Sequence, residues 1–206
     1  MTTGRAPVTM TDHHLILASG SPRRRQLLEL IGVAFDVIPA DVDEVPQAGE
    51  DPRAFASRAA RDKAFEVARR VPGRPVLGAD TVVEIESEIL GKPGSAEDAA
   101  AMLRRLSGQS HLVHTALALV IEDECHELVD SAQVEFVDLS DETIRWYVAT
   151  GEPMDKAGAY AIQGIGGLLV ARVDGSPHTV VGLPVHRLPE LFAEHDLDFW
   201  SRLKEL

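Results

Sequence analysis

The apolar positions of this chain fall into short continuous runs that alternate with longer stretches of helical spacing. Leu15-Ile-Leu-Ala18 is the first run; it stops at small, turn-forming residues and so predicts a buried strand. A helix is expected directly after it, with Ser21 as N-cap, Pro22 at the first position, Leu27, Leu28 and Ile31 as its apolar stripe and Gly32 as its stop. Residues 34–38 predict a second strand. Asp51-Pro52 opens a helix expected to run to Arg70, and its stripe of Phe55, Ala56, Ala59, Ala60, Ala64, Val67 and Ala68 also takes in Lys63. Two further β runs flank Gly78-Ala-Asp-Thr81, and Ser95 caps a helix carrying Met102, Leu103 and Leu106. Residues 111–122 and 127–138 predict an antiparallel pair joined by a polar turn. After them come a capped helix over 140–151, a last core strand over 168–173, a loop over 175–184 and a C-terminal helix from Leu188. No repeat or long linker splits the chain, so residues 15–206 are expected as one domain behind a loose leader, residues 1–14.

The chemistry concentrates where these elements join. Ala18-Ser-Gly-Ser-Pro-Arg-Arg24 links a strand to a helix N-terminus, whose unpaired N–H groups and positive dipole end attract an anion before any side chain is counted. Arg23 and Arg24 fall in that first turn, where Asp or Glu would normally sit; a bound phosphate accounts for cations there, and Ser19 and Ser21 add hydroxyls. Lys63, on a core-facing stripe, either snorkels to the edge or enters a cleft to meet an anion. Asp80 lies between apolar β runs beside Gly78 and Ala79, so its carboxylate must be hydrogen-bonded, paired or on a metal. Asp41-Val-Asp-Glu44 is a solvated acidic loop unless a metal comes near. Gly91-Lys92-Pro93 presents another lysine. Residues 151–167 set Glu152, Asp155, Lys156 and Gln163 among Gly and Ala, the composition of a backbone-lined pocket, and Gln163 can offer a base edge both a donor and an acceptor. His111 and His114, three apart in a strand, face opposite sides and are expected to make structural hydrogen bonds; His13-His14 reads as ordinary polar sequence.

Charge narrows the ligand. A net charge of -13 argues against general nucleic-acid binding, so any anionic ligand is small and held by local cations. Cys125 is the only cysteine, which excludes an intrachain disulfide and a cysteine zinc cluster and fits a reducing cytoplasm. Residues 1–14 lack the apolar core of a signal peptide, and no run approaches the roughly 20 apolar residues of a membrane span. A cytoplasmic protein without membrane contact is expected.

Ala18-Ser-Gly-Ser-Pro-Arg-Arg24, Gly78-Ala-Asp-Thr81, Gly91-Lys-Pro93, Ser107-Gly108 with His111, and Glu152-Pro-Met-Asp-Lys-Ala-Gly-Ala-Tyr-Ala-Ile-Gln-Gly164 together resemble the Maf family of nucleotide pyrophosphatases, over roughly residues 15–192. The resemblance implies hydrolysis of a nucleoside triphosphate to the monophosphate and pyrophosphate with a divalent metal, Mg²⁺ or Mn²⁺. It implies Asp80 as proton acceptor for the attacking water, and Arg24, Thr81 and Gln163 at positions tied to substrate choice. Gln163 in its context resembles the subfamily acting on dTTP and UTP. Modified pyrimidine nucleotides are further candidate substrates. Ser19, Ser21, Arg23 and Arg24 would cradle phosphates, Lys63, Lys92 and Lys156 would neutralise the rest, and Glu44 with Asp80 would hold the metal. The architecture implied is α/β, with a mixed, elongated central sheet flanked by helices and two lobes around a nucleotide cleft, a Maf/ITPase-like fold. A homodimer is a further implication. The chain departs from the family at Thr179, where Asn is frequent.

Two other readings share these residues. One is a regulator of cell division and septum formation that binds a nucleotide, and the other is the same hydrolysis on 7-methyl-GTP, whose subfamily typically carries Glu near the position of Gln163.

Overall fold

A computed structural model describes residues 14–203 of the chain. The leader expected at residues 1–14 therefore lies, apart from His14, outside the described residues, as does His13. In chain order the elements are β1 (Leu15–Leu17), α1 (Pro22–Leu30), β2 (Phe35–Val37), α2 (Pro52–Ala68), β3 (Val76–Ile85), β4 (Glu88–Leu90) and α3 (Ala96–Leu106). They continue with β5 (Ser110–Ile121), β6 (Glu124–Phe136), α4 (Asp141–Ala149), β7 (Val170–Asp174), α5 (Pro177–Val181) and α6 (Leu188–Ala193).

The strands form one mixed sheet in the order β2-β1-β3-β5-β6-β7, with β4 also paired to β3. β1 runs parallel to β2 and β3, and the other pairs are antiparallel. Side chains alternate across a strand, and the core follows that period. Leu15, Leu17, Leu77, Ala79, Leu117 and Leu119 pack on one face against Leu27 and Leu28 of α1 and Leu188, Leu191 and Phe192 of the C-terminal segment. Ile16, Ala18, Val76, Val82, Ala116, Ala118 and Val120 pack on the other face against the small stripe of α2. A third cluster, with Leu103 and Leu106 of α3 and Ile144 and Tyr147 of α4, makes the second lobe.

Three sequence expectations need correction, and one strand was not foreseen. β7 is an edge strand rather than a core strand, paired only to β6 and largely half-exposed or exposed, and Leu168 is 72% exposed ahead of it. β6 starts at Glu124, because the turn before it is only Glu122 and Asp123. The expected loop at 175–184 contains α5, opened by Ser176-Pro177 and closed by Gly182 at φ 112. The turn at Glu86 and Ser87 gives β3 a short antiparallel partner, β4, that the sequence pattern does not announce.

His111 and His114 make the structural contacts expected of them. His114 bonds Ser131 and Glu84, while His111 Nε2 lies 2.8 Å from the Tyr160 hydroxyl. His111 is 3% exposed, its Nδ1 has no hydrogen-bond partner, and burial pushes its pKa down to about 4. Between about pH 4 and 6.5 the unfolded chain therefore binds the extra proton, and stability rises with pH. Stability contributed by neutral His111 is present above about pH 6.5 and is lost as pH falls towards 4, with a full value of about 3 kcal/mol. Urea unfolding at pH 7 and pH 4.5 is expected to show this loss in the wild type and a smaller one in His111→Gln; equal losses would show that His111 is not the group that titrates.

Candidate active site

β3 is held on one edge by β5 along most of its length. Its other edge pairs β1 only at Val76 and Leu77, and β4 only from Val83 onward. Residues 78–82 are left without a strand neighbour on that side. Asp80 and Thr81 lie in this gap, and although consecutive strand residues point to opposite faces, both line one cavity of ≈340 Å³ that wraps the open edge. The loop over residues 18–21 and the first turn of α1 form its floor.

Every site residue that the resemblance implies lines this cavity: Ser19, Ser21, Arg23, Arg24, Glu44, Lys63, Asp80, Thr81, Lys92, Lys156 and Gln163. Five cations and three carboxylates, Asp155 being the third, surround it in a chain of net charge -13. The site is thus a local positive spot in a negative protein, suited to a small polyanion. Helix capping supports the same reading. Side chains cap α2, α3 and α4, and α3 and α4 carry acids in the first turn, whereas Ser21 makes no side-chain cap to α1 and no acid follows it. α5 is uncapped in the same way, but it is the first turn of α1, with Ser21, Pro22, Arg23 and Arg24, that lines the cavity.

Lys63 enters the cleft rather than snorkelling away. Its Nζ lies 2.7 Å from Asp80 and 2.9 Å from Glu44, with Lys63 and Asp80 6% and 5% exposed. Burial pushes the Glu44 carboxyl up, but the charge and hydrogen bond of Lys63, with Lys92 and Arg24 behind it, outweigh burial and hold it below its ordinary value. The Asp80 and Glu44 carboxylates converge on the Lys63 ammonium, which occupies the point between them, and together they are a hard oxygen donor pair. That pair fits Mg²⁺ or Mn²⁺, which accept one or two protein carboxylates and complete their shell with water and phosphate oxygens. Among the described residues no group of three or more His, Cys, Asp or Glu offers a closed protein cage.

Arg24 is built in more deeply than Arg23. Its Nε donates to the Gly182 carbonyl at 2.8 Å, Nη1 to Ser19 at 2.9 Å and Nη2 to Thr81 at 3.1 Å. Burial pushes its pKa down, with Asp80 and Glu44 pulling the other way. Arg24 thereby ties the α1 loop, β3 and the end of α5 together around the cavity. Lys156 is held by Asp155 and, at 3.4 Å, by the Glu152 carbonyl.

Two contributions escaped the sequence reading. Val180 and Val181 of α5 line the cavity, and Ser176-Pro177, the same cap-and-proline signal that opens α1, could have revealed that helix. Tyr160 also lines it. Glu152, expected in the pocket from the sequence, does not line it; its carboxylate is taken up instead by hydrogen bonds from Tyr147, Ile165 and Gly166. A Cβ on Gly164, whose φ is 109°, would lie 2.6 Å from Glu152 Oε2, so the turn after Gln163 closes directly on this carboxylate.

The sequence profile of the family described as "Maf-like protein" matches residues 14–195. The chain belongs to the Maf family. Among its Maf relatives, a protein of Myxococcus xanthus named "dTTP/UTP pyrophosphatase" is 54% identical over 171 residues, 83% of this chain and 87% of that protein. Proteins with the same name from Nitratidesulfovibrio vulgaris and Shigella sonnei are each 49% identical, over 93% and 87% of this chain and 91% of either relative. Among the described residues no helix is long and apolar enough to cross a membrane.

Proposed function

We propose that this Maf chain hydrolyses dTTP and UTP to the nucleoside monophosphate and pyrophosphate. The observation that carries this reading is the setting of Asp80: a buried carboxylate at an open strand edge, 2.7 Å from Lys63, in a cavity otherwise rich in cations. The substrate names come from relatives about half identical over most of both chains. In this reading Ser19, Ser21, Arg23 and the N–H groups of α1 bind phosphate oxygens, while Lys92 and Lys156 neutralise the charge that concentrates on departing pyrophosphate. Lys63 holds the Asp80 carboxylate in place from 2.7 Å, and Asp80 takes the proton of the attacking water. Gln163 meets the base edge. Glu44 and Asp80 would hold Mg²⁺ or Mn²⁺, which supplies Lewis-acid charge to the phosphoanhydride. Residues 15–206 act in this reading as one catalytic domain in the cytoplasm, with a homodimer as a further form that the family implies.

Pyrophosphate release should be measured with dTTP, UTP, modified pyrimidine nucleotides, purine nucleotides and 7-methyl-GTP, in Mg²⁺, Mn²⁺ or EDTA. Release from dTTP and UTP that EDTA abolishes is the expected result. Nucleotide binding with no release from any substrate would overturn the enzyme reading and favour a regulatory module; release from 7-methyl-GTP alone would overturn the assignment of substrate.

A further inference from the structure

The back wall of the cavity carries a hydrogen-bond chain whose direction can be worked out atom by atom. Thr81 and Thr115 sit opposite each other on β3 and β5, with their hydroxyl oxygens 3.0 Å apart. Thr115 is fully buried, and its hydroxyl donates to the Thr179 carbonyl at 2.7 Å. A hydroxyl has one hydrogen and two lone pairs. With Thr115's hydrogen committed to Thr179, the hydrogen between the two threonines belongs to Thr81. Thr81 also accepts from Arg24 Nη2 at 3.1 Å. One lone pair is left on Thr81, which lines the cavity, so its hydroxyl offers a ligand an acceptor and no donor. Thr179 is itself anchored: it is fully buried, its hydroxyl donates to Asp130, and Arg187 donates to the same carboxylate at 3.2 Å.

Resting on the pyrimidine nucleotide reading above, we propose that Thr115 is a positioning residue for base selection, because it locks Thr81 as an acceptor-only group. Uracil and thymine carry an N3–H that such a group welcomes, and a 5-methyl group does not alter that edge. Cytosine presents a bare N3 lone pair, which would face the Thr81 lone pair with no hydrogen between them. A site built around a substrate N–H discriminates strongly against an analogue that lacks it, because polar groups are then left unpaired.

The test compares kcat and KM for UTP and CTP in the wild type, Thr115→Val and Thr115→Ser. Valine is close in shape, and the Thr179 carbonyl keeps its bond from the Gly182 N–H at 3.1 Å, so the fold has reason to survive. Without the Thr115 hydroxyl, Thr81 is free to turn its hydrogen into the cavity. The wild type is expected to favour UTP over CTP by about 10²-fold or more in kcat/KM, on the scale of hydrogen-bonded substrate selection. Thr115→Val should cut that ratio at least about tenfold, chiefly through a lower KM for CTP, and Thr115→Ser should restore it. A folded Thr115→Val with the wild-type ratio would overturn the proposal. If that variant does not fold, N3-methyl-UTP decides with the wild type: rejection like CTP supports the proposal, and turnover like UTP overturns it. A wild type that hydrolyses UTP and CTP alike also overturns it, pointing Thr81 at a sugar hydroxyl, while the hydrolase reading stands. If neither triphosphate is hydrolysed, the hydrolase reading fails by itself; calorimetry with UMP and CMP then judges the base preference in wild type and variant.

Discussion

Asp80→Asn is expected to lower UTP turnover by about 10²–10⁴-fold, the usual contribution of a positioned general base, while nucleotide affinity is retained. The amide is nearly isosteric and its carbonyl can still accept from Lys63 Nζ, which sits 2.7 Å from the native carboxylate. Glu44 remains at 2.9 Å, so the buried ammonium is not stranded when the Asp80 charge is removed. What the amide cannot do is take a proton from water. Quench-flow turnover beside calorimetric nucleotide binding reads the two effects separately, and a Mn²⁺ titration followed by electron paramagnetic resonance adds a third. Lost turnover with unchanged Mn²⁺ affinity assigns Asp80 to the proton, whereas parallel losses assign it to the metal. Turnover close to wild type would remove Asp80 from the chemistry altogether.

The site was legible in the sequence to the extent that local physics constrains a residue. Ser21-Pro22 fixes a helix start, Asp51-Pro52 another, and Arg23 and Arg24 in a first turn oppose the dipole unless an anion answers them. Lys63 stood out because it interrupts an alanine stripe, and Asp80 because it interrupts a β run. The partnership between those two could not be read, since it depends on how α2 lies across β3, seventeen positions along the chain. The gap between β1 and β4 was equally hidden. β4 follows a turn with Glu86 and Ser87 at positive φ, residues that give no turn signal of the Asn-Gly kind. Glu152 is met by Tyr147 and by the consecutive N–H groups of Ile165 and Gly166, well separated from it along the chain, so it does not announce its role alone. At Thr179, where the chain departs from the family pattern, the hydroxyl donates to Asp130 of β6, a partner that the sequence pattern does not reveal.

Gly78→Ala is expected to be among the most damaging single changes outside the catalytic groups. A Cβ there would stand 2.1 Å from the Ala60 carbonyl oxygen and 2.9 Å from the Ala64 Cβ and backbone nitrogen. Because two of these atoms belong to the backbone of α2, no side-chain rotation relieves the clash, and the helix must lift from β3. Overpacking of this kind costs about 1–3 kcal/mol, occasionally more. Here the lift also pulls Lys63 from Asp80, which lies two residues beyond Gly78 on the same strand face, and weakening a buried pair adds to the cost. A fall in melting temperature on the order of 10 °C is expected for a chain of this size, together with a drop in kcat that persists at temperatures where the variant is folded. Gly91→Ala supplies the comparison: nothing lies within 4 Å of its added Cβ, so stability should stay within about 0.5 kcal/mol of wild type although Gly91 adjoins Lys92. If Gly78→Ala melted with the wild type, the close approach of α2 to β3 would not be what holds Lys63 against Asp80. If it melted early but kept full kcat, the spacing of that pair would matter for folding and not for the proton transfer.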